Sequence, residues 1–256
     1  SSRLSIAAGL DNHFVLAISL AILAGAGFGG SAIFARIGMQ KLAPMPTIMI
    51  SVVISAVPAL ALAFIFARDD IWAAPAVAFL WMILLGAANF LGGRTQNYRA
   101  ISRIGASQTS IILATSAVFS AIFAIGLAGE RPHFLIPLGT AGVVLGLVVS
   151  TADSIRQGWA TDRRAVTGYL LALFAAASYG STNVIAKELT EEYGSPLMIS
   201  AFSLVFGIIL LAPIAGRSTI SGLRALGNEW GPIIFAALSG LSSAVAVISL
   251  YYALQR

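Results

Sequence analysis

The residues in this chain that could do chemistry are few, and most of them are uncharged. Asn89, Gln96 and Asn97 lie in one long apolar stretch, with Gly86, Gly93 and Ala100 completing a polar face within about 100° on a helical wheel. Ser239 and Ser242 occupy corresponding positions of a later stretch, in the company of Ala246, Ser249, Leu250 and Ala253 and with Ser243 beside them. Neutral donors and acceptors on a shared face suit a polar or zwitterionic ligand, because each contact with water can be replaced by a directed hydrogen bond. The same residue types also hold helices together in membranes, so both readings stand for these positions. Arg94 is the cation deepest within an apolar stretch. It could bind a carboxylate, or its side chain could snorkel to the nearby interface. No Asp or Glu falls in the middle of an apolar run, so a protonatable carboxylate for proton coupling is not visible. His13 and His133 stand at helix starts and are read as structural or interfacial.

These residues need elements to hold them, and composition says what kind. The chain is 256 residues long, 58% hydrophobic and 10% charged, whereas a soluble domain carries about a quarter charged residues. Its apolar runs match the roughly 20 residues that cross a bilayer core of about 30 Å. The expected class is an all-α polytopic membrane protein with the lipid bilayer as its partner. The net charge of +5 is scattered between apolar runs rather than gathered in a stripe, which argues against nucleic acid. There is no cysteine, so disulfides and thiolate metal sites are excluded, and neither a cofactor nor a metal site is expected. No GxSxG, HExxH or P-loop pattern is present, which gives no support to an enzyme.

Hydropathy and helix breakers predict eight spans: 13–39, 46–67, 74–101, 106–127, 134–151, 167–189, 196–214 and 231–254. The stretch Phe28 to Arg36, FGGSAIFAR, returns as Tyr179 to Lys187, YGSTNVIAK. Gly29 falls on Gly180, Ser31 on Thr182, Ala35 on Ala186 and Arg36 on Lys187. The end of the third span, QNYRAISR, returns as SLYYALQR, with Tyr98 on Tyr251 and Arg103 on Arg256. The chain therefore divides into a first repeat over 1–152, a linker over 153–165 and a second repeat over 166–256. Five helices precede the linker and three follow it. The expected architecture is an inverted repeat of five-helix bundles, apparently truncated after the eighth helix, because an odd number of spans per half sends the second half in from the opposite side. Such repeats place a substrate site near the midplane, between the halves.

Between the copies, Asn183 replaces Ala32, and either a substrate contact or an interhelical bond would justify that amide. Tyr179 and Phe28 could stack on a ligand or fill the core. The GxxxG spacings at Gly25 and Gly29, and at Gly142 and Gly146, predict close helix packing. Five of the Lys and Arg, Arg3, Arg68, Arg131, Lys187 and Arg256, lie on the amino-terminal side of the membrane and the other ten opposite, which by the positive-inside tendency puts the amino terminus outside.

In order and spacing, FGGSAIFAR, YRAISRIGASQTSIILATSAVFSAIFAIGLAGERP, GTAGVVLGLVV, YGSTNVIAK and YYALQR resemble the drug/metabolite transporter superfamily, in particular its EamA-type ten-helix permeases. The resemblance spans essentially the whole chain. It implies a permease of small polar metabolites such as amino acids, often an exporter, in the inner membrane with both termini cytoplasmic. It also implies alternating access between the inverted repeats, a small-molecule substrate and a possible homodimer. A non-transporting scaffold or an intramembrane enzyme that kept the fold is the alternative. One departure concerns the fourth helix, where the family usually carries a proline and this chain has Ala117 before Val118 and Phe119. Any bend there must come from Thr115 and Ser116 or be absent.

Overall fold

A computed structural model describes residues 2–126, 129, 138–146, 149 and 162–254. Its helices are α1 Ser2–Gly38, α2 Pro44–Phe66, α3 Arg68–Ala73, α4 Ala76–Gly86, α5 Thr95–Ile104, α6 Ala106–Leu113, α7 Ser116–Gly126, α8 Arg163–Tyr193, α9 Pro196–Leu226 and α10 Gly231–Leu254. A π-helical segment, Ala87–Arg94, joins α4 to α5, and the three form one continuous span. Seven helices among the described residues are long and apolar enough to cross a membrane. The expected fifth helix is seen as helix over 138–146; its remaining residues, His133 and the linker up to residue 161 lie outside the described residues.

Local chemistry sets the boundaries. Pro44 and Pro46 open α2 behind an extended Ala43, since a first-turn proline loses no helical hydrogen bond. Asp162 caps α8 by accepting from Ala165 N at 3.3 Å, and Ser195 caps α9 by accepting from Met198 N at 3.4 Å. Gly105 turns the chain between α5 and α6 at φ 85°, a conformation that a side chain would strain. Helix α9 runs on to Leu226, well past the expected end at Ile214, and α3 forms where a loop is expected. Hydropathy marks where apolarity fades, not where helical hydrogen bonding stops.

The fourth span is interrupted at Ala114 and Thr115 without proline. Helix α6 ends at Leu113 and α7 starts at Ser116; between them Thr115 Oγ1 donates to Ile112 O at 2.6 Å, and Val118 N reaches only back to Thr115 O. A threonine that bonds back to its own turn loosens the ladder as a proline would.

The two halves pack on each other by a rule of exchange. The first helix of one half, α1, lies along the third span of the other, α10; the first helix of the second half, α8, lies along the π segment and α5. The second helices of the halves, α2 and α9, pack directly together. This is the pattern expected of a pseudo-two-fold axis. The crossings are equivalent in detail. A side chain at Gly27 of α1 would meet Ala246 and the Ser242 carbonyl, and one at Gly92 or Gly93 would meet Ser178 or Tyr179, the counterparts of Gly27 and Phe28. Close packing thus falls at Gly27 and Gly30. It does not fall at the GxxxG pairs: a Cβ at Gly25, Gly29, Gly142 or Gly146 meets nothing within 4 Å among the described residues. The spacing marks small residues but cannot say which side of the helix finds a neighbour. Apolar side chains such as Ile22, Phe66 and Leu170 cover the outside, as lipid requires.

Candidate functional site

The π segment sits in the middle of the third span and sets the site. A π turn needs its carbonyls satisfied five residues on, and two side chains assist. Thr95 Oγ1 donates to Phe90 O at 2.7 Å and Gln96 Nε2 donates to Leu91 O at 3.3 Å. Such segments recur at functional sites, because they turn the following residues out of the ordinary register. That turn corrects one expectation. Asn89 lies within the segment, while Gln96 and Asn97 follow it, so the single polar face drawn with 100° steps is divided. Asn89 is buried; Gln96 is tied back to its own helix.

Arg94 ends the segment, and only 5% of it is exposed. It lies roughly four residues, about 6 Å, from the middle of the span Ala76–Ile104. Its guanidinium donates to the Tyr98 hydroxyl at 3.4 Å and lies 5.6 Å from the centre of the Tyr98 ring. Among the described residues no carboxylate pairs with it. The side chain is therefore packed inside the protein, and of its two sequence readings the snorkelling one does not hold.

Tyr98 carries the link between the halves. Its hydroxyl is 2.7 Å from Ser239 Oγ and 3.4 Å from Ser51 Oγ. Ser239 in turn donates to Ser31 O at 2.9 Å and lies 2.9 Å from Ser31 Oγ. On the other flank, Asn97 is 8% exposed and its side chain lies beside the Tyr179 hydroxyl. Tyr179 reaches it because Gly93 offers bare backbone; a Cβ there would come within 2.5 Å of the tyrosine ring. Among the described residues, the oxygens Asn97 Oδ1 and Gln96 Oε1 are buried without a hydrogen-bond partner.

The structure thus gathers Arg94, Asn97 and Tyr179 around one point and ties Ser239 to them through Tyr98. It places the other candidates elsewhere. Ser242 donates to Gly27 O at 2.9 Å, which fastens α10 to α1, and Ser243 is buried beside it. Asn183 donates to Ser120 Oγ at 3.1 Å, and Ser120 donates to Gly180 O at 3.2 Å, so this amide bonds α8 to α7. Replacing Asn183 with Ala is expected to lower unfolding stability by about 0.5–1.5 kcal/mol, the scale of an interhelical bond in a membrane, without changing ligand binding. Thermal unfolding in detergent alongside a binding assay checks both halves of that statement.

Sequence reasoning missed Tyr98, Ser51 and Ser31 as members of the site. For Tyr98 a signal existed, since it returns as Tyr251 in the second copy. Nothing in the pattern separates Ser51 and Ser31 from other small polar residues of apolar helices.

A family model described as the EamA-like transporter family matches residues 15–152 and 166–256. A solved structure, titled only as the crystal structure of a protein, is 16% identical and superimposes with a TM-score of 0.58 over 95% of this chain and 85% of its own. At that identity the likeness speaks for the fold alone. No curated protein matches the chain.

Proposed function

Because this chain belongs to the EamA-like transporter family and is a multi-pass membrane protein, we propose that it is a permease for small metabolites bearing a carboxylate, bound at Arg94 between the two repeats. The observation that carries the reading is Arg94 itself. Placing an arginine near the centre of a bilayer costs about 2.5–3.5 kcal/mol even on insertion scales. Tyr98 offsets part of this through its hydroxyl and ring face, contacts worth about 0.5–2 kcal/mol. With no counter-ion among the described residues, a substrate anion completes the pairing, and a guanidinium holds a carboxylate with two parallel hydrogen bonds.

The packing supports alternating access. The site lies where α8 crosses the third span, and its partner Tyr98 touches α2 and α10, so elements of both repeats surround the bound group. Rocking one repeat against the other would expose Arg94 first to one side and then to the other. The break at Thr115 in the fourth span, which packs on α8, offers a hinge beside that crossing. Export from the cytoplasm across the inner membrane is the direction we assign, on the family resemblance.

The test is ligand-induced thermal stabilisation of the purified chain by a panel of amino acids, dicarboxylates and aromatic acids, each with its carboxamide. Carboxylates should raise the unfolding temperature and their amides should not. Stabilisation by both members of each pair equally, or by neither across the panel, contradicts the proposal.

A further inference from the structure

Asn97 stands one turn beyond Arg94 on the same side of the third span. Its Oδ1 is buried and has no hydrogen-bond partner among the described residues. A buried acceptor without a donor is among the costlier defects of a folded protein and calls for an explanation. Gln96 Oε1 is in the same condition, but that side chain is anchored to Leu91 O and leaves the helix about 160° away from Arg94. The Tyr98 hydroxyl is already engaged with Arg94, Ser239 and Ser51. Asn97 Oδ1 is thus the open acceptor on the guanidinium's own face.

We infer that Asn97 is a specificity-determining residue: it accepts a hydrogen bond from an ammonium or hydroxyl group of the substrate, next to the carboxylate taken by Arg94. Tyr179, whose ring packs on Gly93 beside that amide, is the positioning residue. The two helix positions offer a donor cation and a neutral acceptor about 5–6 Å apart at their Cβ atoms, which fits the carboxylate and the adjacent donor of an α-amino or α-hydroxy acid. A neutral oxygen accepts from either group, so both substituents fit, and a plain carboxylic acid leaves Oδ1 unpaired. This inference rests on the carboxylate reading of Arg94 and refines it.

Three matched triads separate the two: propionate, L-lactate and L-alanine; succinate, L-malate and L-aspartate; 3-phenylpropionate, L-phenyllactate and L-phenylalanine. Binding of each to the purified chain is measured by calorimetry or thermal shift, for wild type, Asn97→Ala and Tyr179→Phe. In wild type the hydroxy and amino acids of whichever triad fits should bind about tenfold more tightly than the plain acid, because the plain acid leaves a buried acceptor unpaired. Asn97→Ala should erase that preference, so that the three members of a triad bind alike. Tyr179→Phe should reduce the preference without erasing it, since the amide can still turn its oxygen to the ligand. Plain acids bound as well as their partners by wild type, or a preference that survives in Asn97→Ala, overturns the Asn97 assignment and leaves the Arg94 reading standing. Failure of wild type to bind any of the nine overturns both.

Discussion

Replacing Arg94 with Gln is expected to lower transport at least 100-fold and to leave the protein as stable as wild type or more so. The two effects have one cause. The guanidinium is buried in the span without a carboxylate partner among the described residues, so in the empty protein it is a net cost to the fold. Glutamine keeps much of the length and polarity, removes the charge and relieves that cost. The substrate, however, loses two charge-assisted hydrogen bonds worth about 1.5–3 kcal/mol each, which compounds to at least two orders of magnitude in affinity. Arg94→Lys restores the charge but not the fork, and should recover only part of the activity. Flux in proteoliposomes and the unfolding temperature, measured together, distinguish a binding arginine from a structural one: a structural arginine would lose stability when replaced.

The second large effect is structural and falls where α10 crosses α2. A Cβ at Gly240 would run into the backbone carbonyl of Ser51 and lie 3.0 Å from its Cα, and backbone cannot rotate away. The Ser55 hydroxyl also sits 2.7 Å from Gly240 O, a bond that spans the two helices and breaks if they part. Gly240→Ala should therefore cost about 1–3 kcal/mol of stability by overpacking. Because Ser51 also touches the Tyr98 hydroxyl, flux should fall with it. Gly29→Ala is the control. Nothing among the described residues lies within 4 Å of a Cβ there, so the helix gains about 0.5–1 kcal/mol from the lost flexibility of glycine. Thermal unfolding in a single detergent compares the pair.

The sequence carries the class and the plan of this fold openly, because membrane spans are a matter of average apolarity over about 20 residues, and the chain is apolar almost everywhere. The repeat is legible for the same reason that it matters: FGGSAIFAR and YGSTNVIAK keep the small residues that let α1 and α8 cross the opposite half. What the pattern hides is direction around each helix. Gly25 and Gly29 have the spacing of a packing motif and face no neighbour among the described residues, whereas Gly27 and Gly30 do the packing. The π segment is hidden for a related reason. Nothing in AANFLGGR marks a lengthened turn, and its support comes from side chains that follow it, Thr95 and Gln96. Once the turn is there, every wheel drawn through it misplaces what comes after, which is why Asn89 and Gln96 do not share a face. Arg94 was ambiguous by sequence because its distance from the helix end permits snorkelling. Only the packing of Tyr98 and α8 around it shows that it stays inside.

The most direct measurement is counterflow. Liposomes containing the purified chain are loaded with an unlabelled carboxylate that stabilises it, and the labelled compound is added outside. Accumulation inside that depends on the protein, is abolished in Arg94→Gln and is not competed by the matching carboxamide is the result predicted for a permease with its site at Arg94. Equal accumulation with wild type and Arg94→Gln would contradict it.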